Sequence, residues 1–240
     1  MRSPFPASYL PSLLTLMNML CGYASLIMSG AGSLEVAGWL IIIAACLDGA
    51  DGFVARLTRS ESQFGGQLDS LADLVSFGIA PSYLAYAFGF EGLGIAGVLL
   101  SFLIVLGAAL RLARFNIGDA GSSTGAFIGL PSPAAAVTLA SFVIWMLHEP
   151  GLFSGTSPLV MLSLLCIMLA VLMQSRITYG TLPRFSRASL TLPPLSSVLW
   201  VAVVFCLVIC QAKAFFLFML LYILQGVFNS LRLLVRETVL

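Results

Sequence analysis

Asp48, Asp51, Asp69 and Asp73 are four of the ten acidic residues in this chain, and all four fall within 26 positions. The stretches on either side, 40–47 and 74–87, are nearly uncharged, which argues against acids on a solvated loop. Asp48 and Asp51 are three apart and Asp69 and Asp73 are four apart, so each pair shares one face of a helix. Two such helices facing each other would gather four carboxylates in an apolar setting. Mutual repulsion and desolvation make that arrangement prohibitive without cations. Oxygen ligands at this density suit hard divalent ions such as Mg2+ or Mn2+. Two metals held by shared carboxylates are a device for phosphoryl chemistry.

Small and basic residues accompany the aspartates. Gly49, Gly52 and Ala55 leave room for a ligand to approach the backbone, and Arg56, one turn past Gly52, can meet a phosphate. The polar segment 58–66, TRSESQFGG, forms the turn between the two aspartate helices, with Gly65 and Gly66 leading into the second. Thr15 and Asn18 lie three apart on one face of an apolar run and offer a polar edge for a ligand. Arg111 and Arg114 share a face at the end of another run. Farther on, Pro131 and Pro133 mark a helix start.

The elements that must position these groups are membrane helices. The chain has 240 residues, of which 60% are hydrophobic and 9% charged, and its mean hydropathy is +1.05. A soluble domain carries about 25% charged residues. The expected fold class is therefore all-α: a polytopic integral membrane bundle in a single domain spanning 1–240. About eight spans are read from apolar runs: 9–30, 34–58, 67–88, 92–116, 131–148, 157–175, 195–212 and 214–231. Eight spans put both termini on one side. That side then receives all ten arginines, and the other receives Lys213. The positive-inside rule makes the arginine side cytoplasmic. The expected location is the inner cell membrane, multi-pass, with termini and active site cytoplasmic. The bilayer is the partner this charge placement implies, and nucleic acid is not. The five cysteines lie in apolar runs and imply no disulfide framework. His148 and Glu149 fall at the outer end of the fifth span and are expected to be interfacial.

The spacing D-x2-D-G-x2-A-R-x8-G-x3-D-x3-D, filled by Asp48, Asp51, Gly52, Ala55, Arg56, Gly65, Asp69 and Asp73, resembles the signature of the CDP-alcohol phosphotransferases. The resemblance implies that fold, with a catalytic core over about 9–180 and two additional C-terminal helices over about 195–231. It implies two divalent cations, Mg2+ or Mn2+, on Asp48, Asp51, Asp69 and Asp73, with Asp73 also the catalytic base. It implies a CDP-diacylglycerol site at Gly52, Ala55, Arg56, Ser62, Gly65, Thr15 and Asn18. The pattern P-x3-T-x2-N at Pro11, Thr15 and Asn18, with Ser12 where Asn is usual, resembles the branch of the family that accepts L-serine. So does the pairing of RLARFN (111–116) with GLPSPAAA (129–136). That likeness implies transfer of a phosphatidyl group from CDP-diacylglycerol to L-serine with release of CMP, a homodimer, and a serine site at Arg111, Arg114, Asn116 and Ser132. The alternatives are another acceptor in the same family, glycerol 3-phosphate or inositol, and, in a different class, a cation transporter using intramembrane carboxylates.

Overall fold

A computed structural model describes residues 9–58, 63–117, 127–149, 157–179 and 211–239. The described chain is a bundle of helices: α1 (Tyr9–Gly30), α2 (Leu34–Thr58), α3 (Gln63–Leu93), α4 (Ile95–Asn116), α5 (Ser132–His148), α6 (Pro158–Gln174) and α7 (Gln211–Val239). Each corresponds to an expected span. The remaining one, 195–212, lies outside the described residues except for its last two, which belong to α7. Among the described residues five helices are long and apolar enough to cross a membrane, while α5 and α6 are shorter, at 17 residues each. A 17-residue helix rises about 25 Å, short of a hydrocarbon core of about 30 Å. For α5 the shortfall is tolerable because the helix is enclosed by protein: its residues from Ala134 to Ile144 are all buried.

The packing follows the logic of a membrane interior, where small and polar residues face inward and large apolar ones face lipid. On α1 the inward stripe is Thr15, Asn18, Gly22, Ser25 and Ser29, all buried, while Leu13, Leu16, Leu20, Tyr23 and Ile27 are exposed. Ser25 Oγ donates to the Ala37 carbonyl at 2.9 Å, tying α1 to α2 across their tight connection. Ser76 Oγ donates to the Asn18 carbonyl at 3.0 Å, tying α1 to α3. That crossing depends on Gly22, where a Cβ would lie 2.7 Å from Ser76 Cα.

Two features were not expected from the sequence. First, α3 is not uniform. It runs as an α-helix to Asp73, then as π-helix over Leu74–Ile79 and again over Tyr86–Phe90. A π turn takes up an extra residue and shifts the register of the helix beyond it. Both the stretch carrying Asp69 and Asp73 and the first π stretch pack against α1. Second, the all-α reading needs one small addition. A two-residue strand β1 (Phe127–Ile128) pairs antiparallel with β2 (Thr178–Tyr179), Phe127 opposite Tyr179 and Ile128 opposite Thr178. Gly129 follows β1 with φ +78°, and its N–H donates to the Ile177 carbonyl at 2.9 Å. Any Cβ there would sit 2.6 Å from the Met173 carbonyl oxygen. This clip fixes where α5 begins, and so fixes Ser132.

At the end of the bundle opposite the aspartates, a polar cluster joins three helices. His148 Nε2 lies 3.2 Å from Glu35 Oε1, Trp145 Nε1 donates to Glu149 Oε2 at 3.1 Å, and Lys213 pairs with Glu149. The Lys213 hydrogen bond, helped by Trp145, holds the Glu149 carboxyl below the usual range.

Gly22→Ala tests the α1–α3 crossing. Overpacking a tight contact costs about 1–3 kcal/mol, so the variant is expected to unfold at a lower temperature in detergent than the wild type. An unchanged midpoint would show that the crossing is not tight.

Candidate active site

The aspartate pairs occupy the ends of α2 and α3 that meet beside the polar turn. One carboxylate oxygen each from Asp48, Asp51 and Asp69 can be chosen so that all three lie within 4.8 Å of one another. Asp73 stands beside the group, within electrostatic reach of Asp48, Asp69 and Asp51. Four carboxylates this close in a largely buried setting repel one another, so the site calls for positive charge. Asp51 and Asp73 are 6% and 9% exposed. Asp69 Oδ1 and Asp73 Oδ1 are buried and accept no hydrogen bond. Buried acceptors without donors are costly, and coordination to a hard cation satisfies them. The donor set therefore fits divalent metal, and the sequence expectation of a carboxylate cluster holds in three dimensions.

Thr15 is brought directly onto this cluster. Its Oγ1 donates to Asp51 Oδ2 at 2.9 Å and also lies 3.1 Å from the Pro11 carbonyl. Thr15 thus fixes the orientation of a carboxylate, a role that the polar-edge reading of α1 did not contain. Nothing in the local sequence connects positions 15 and 51; the shared helical face of Thr15 and Asn18 signalled only that this side of α1 meets something polar. Asn18, one turn deeper, is fully buried, and neither its Oδ1 nor its Nδ2 has a partner. Gly49 and Gly66 face open space, where an added Cβ would meet nothing within 4 Å. Helix packing therefore does not explain glycine at these positions. Gly52 and Gly65 lie on α2 and α3 beside the aspartates. Ala55 and Arg56 belong to the last turns of α2, and Ser62 lies outside the described residues.

The four residues of the expected acceptor site divide into two groups. Arg111 and Ser132 come together: Arg111 Nη1 donates to Ser132 Oγ at 3.2 Å. The Arg111 guanidinium also lies within electrostatic reach of Asp73 and Asp48. Arg114 turns toward the end of α6, with Nη1 3.4 Å from the Gln174 carbonyl and Nε 3.4 Å from that of Leu110. Gln174 returns the brace by donating Nε2 to the Gly107 carbonyl at 2.8 Å. Asn116 sits on the exposed rim, where Ser70 Oγ lies 3.1 Å from its Oδ1 and 3.0 Å from the Gly66 carbonyl. Ser70 stands between Asp69 and Asp73 in the chain, so this link ties the end of α4 to the aspartate helix.

Comparison with known proteins agrees with this geometry. The family model described as CDP-alcohol phosphatidyltransferase matches residues 8–175. A CDP-diacylglycerol–serine O-phosphatidyltransferase of Helicobacter pylori is 36% identical over 232 residues, 96% of this chain and 94% of its own length. An archaetidylserine synthase of Methanothermobacter thermautotrophicus is 41% identical over 172 residues, covering 71% of this chain and 69% of its own. A CDP-diacylglycerol–serine O-phosphatidyltransferase of Saccharomyces cerevisiae is 48% identical over 104 residues, 40% of this chain and 37% of its own.

Thr15→Val removes the hydroxyl that orients Asp51 while keeping its shape. Loss of a partner that orients a metal ligand typically lowers metal affinity about 10–100-fold. Titration of the purified variant with Mn2+, followed by electron paramagnetic resonance, should show that weakening. Wild-type Mn2+ affinity would mean that Asp51 is held without Thr15.

Proposed function

The chain belongs to the CDP-alcohol phosphatidyltransferase family, and from that membership we propose that it is a CDP-diacylglycerol–serine O-phosphatidyltransferase. It transfers the phosphatidyl group of CDP-diacylglycerol to L-serine, giving phosphatidylserine and CMP. The observation that carries the acceptor assignment is the similarity, over 96% of the chain, to a CDP-diacylglycerol–serine O-phosphatidyltransferase, and the placement of Arg111 fits it. A guanidinium bonded to Ser132 stands beside the carboxylates that would activate an alcohol. L-Serine brings a carboxylate that needs such a cation within reach of its own attacking hydroxyl, and inositol brings none; glycerol 3-phosphate brings a phosphate that would suit Arg111 too, and against it stands the acceptor named for the relatives. Membership of a transferase family removes the cation-transport alternative.

In this reading Asp48, Asp51, Asp69 and Asp73 hold two divalent cations, Mg2+ or Mn2+, with Thr15 orienting Asp51. Bound there, the cations offset the charge of the pyrophosphate and the charge that develops on the CMP leaving group. Asp73 takes the proton from the serine hydroxyl as its oxygen bonds to phosphorus and the bond from phosphorus to CMP breaks. Gly52, Ala55, Arg56, Ser62, Gly65 and Asn18 receive the CDP-lipid, whose fatty chains stay in the bilayer. Arg111 and Ser132 receive the serine carboxylate, with Arg114 braced against the end of α6 and Asn116 at the rim. The arginine-rich end of the bundle faces the cytoplasm, in keeping with the positive-inside rule. A homodimer belongs to the same proposal and rests on the family resemblance.

The direct test incubates purified protein with CDP-diacylglycerol, Mn2+ or Mg2+, and L-serine, glycerol 3-phosphate or inositol in parallel. CMP release is expected with L-serine and is expected to stop reversibly on chelation. Release with glycerol 3-phosphate or inositol in preference to serine would overturn the acceptor assignment.

Arg111→Lys separates acceptor from donor. A guanidinium binds a carboxylate through paired hydrogen bonds that an ammonium does not copy. Losing one charge-assisted contact is worth about 1.5–3 kcal/mol, or roughly ten- to a hundred-fold in affinity. The apparent KM for serine should rise by that factor while that for CDP-diacylglycerol stays near wild type. A selective loss of CDP-diacylglycerol affinity would assign Arg111 to the donor phosphates.

A further inference from the structure

Residues 172–177, at the end of α6, hold the chain on both sides of the Arg111–Ser132 contact. The sequence of α6 is almost wholly apolar. Ser163 and Gln174 are its residues with strong hydrogen-bonding side chains, and the Ser163 hydroxyl goes back to the Leu159 carbonyl of its own helix at 2.8 Å. Gln174 reaches across to α4 instead. Its Nε2 donates to the Gly107 carbonyl at 2.8 Å, and its own carbonyl accepts from Arg114 Nη1 at 3.4 Å. Gly107 stands four residues before Arg111 and Arg114 three residues after it, so the two bonds grip the turns on either side. The Gly107 carbonyl is also the one that takes the Arg111 N–H in the ladder of α4. The two helices approach closely there: a Cβ on Gly107 would lie 3.4 Å from Ala170 Cα. The same end of α6 holds the chain just ahead of Ser132. Leu130 N–H donates to the Leu172 carbonyl at 3.0 Å, and Gly129 N–H to the Ile177 carbonyl at 2.9 Å.

We propose that Gln174 is a positioning residue for the acceptor: its side-chain amide and its backbone carbonyl hold the turns of α4 that flank Arg111, and so fix the guanidinium against Ser132 for an amino-acid carboxylate. This rests on the reading of Arg111 as the serine-carboxylate residue. Packing alone does not ask for glutamine at 174. Methionine fills a similar volume without a polar group, and α6 already carries Met161, Met168 and Met173. The amide is what the proposal explains. Paired hydrogen bonds to a carboxylate demand a set direction as well as a charge, so a small shift of α4 along α6 would weaken them.

The test is Gln174→Met in the full-length protein, with CMP release followed against L-serine and, separately, against CDP-diacylglycerol. The change removes the donor to Gly107, whose carbonyl keeps its own helical partner, and leaves the backbone contact with Arg114. Loss of one neutral hydrogen bond acting through Arg111 predicts a rise of about two- to ten-fold in the apparent KM for serine. The KM for CDP-diacylglycerol and kcat at saturating serine should stay at wild-type values. Gln174→Asn, which keeps an amide one methylene short of Gly107, should show the same selective rise. In an Arg111→Lys background either change should add little, because the two residues act as one unit. If both Gln174 variants keep wild-type serine dependence while Arg111→Lys raises the serine KM, Gln174 has no such role and the serine reading stands. If Arg111→Lys instead weakens CDP-diacylglycerol alone, the serine reading fails and takes this inference with it. Gln174 variants that lose kcat, the affinity for both substrates and thermal stability together would show a packing role only and would overturn the proposal.

Discussion

Three carboxylates within 4.8 Å of one another and a fourth beside them, in a chain with little charge nearby, are the constraint on which the rest of the structure depends. Coulomb repulsion between like charges grows as the surroundings become less polar, so the group cannot sit deep in the bilayer, nor can it persist without positive charge. Both demands are visible. The aspartates lie at the ends of α2 and α3, beside a polar turn and an open face at Gly49 and Gly66. Arg111 stands close by on α4. Thr15 supplies a donor to Asp51 from α1. Four helices therefore converge on one end of the bundle to hold a carboxylate cluster that can take a cation.

The remaining architecture keeps that convergence rigid without relying on the hydrophobic effect, which gives little drive between helices already surrounded by lipid tails. Close backbone approach does the work instead. Gly22 lets α1 rest on Ser76 of α3, and hydroxyl-to-carbonyl bonds at Ser25 and Ser76 lock the two crossings of α1. The enclosed helix α5 starts at the Gly129 clip, so Ser132 meets Arg111 at a fixed place. The far end is closed by Glu35, His148, Glu149 and Lys213, which separates a chemical end of the molecule from a structural one.

The aspartate signature was legible in the sequence because metal coordination fixes both residue type and helical spacing. The helices themselves were legible because the bilayer demands long apolar runs, and the expected spans 9–30 and 34–58 coincide with α1 and α2. The internal breaks of α3 were not legible, because a π turn leaves no gap in an apolar run. Nor was the β1–β2 pairing, since two-residue strands carry no period and their partners lie about fifty residues apart. The bond from Thr15 to Asp51 is a tertiary fact. Uniformly apolar helices have no strong amphipathic face from which their rotation can be read. Arg111 and Arg114 looked equivalent three residues apart, yet a small difference in helical phase sends one to Ser132 and the other to the end of α6.

The central claim, that the carboxylate cluster is a cation site whose repulsion the bound metal relieves, is tested most directly by thermal unfolding of wild type and Asp69→Asn with and without Mn2+. A ligand that binds only the folded state at 100 times its Kd adds about 2.7 kcal/mol of stability. Wild type should therefore gain markedly from Mn2+. Asp69→Asn should be at least as stable as wild type in chelator, because one like charge is gone, and should gain far less from the metal. Equal Mn2+ stabilisation of the two proteins, or a metal-free Asp69→Asn less stable than metal-free wild type, would contradict the account.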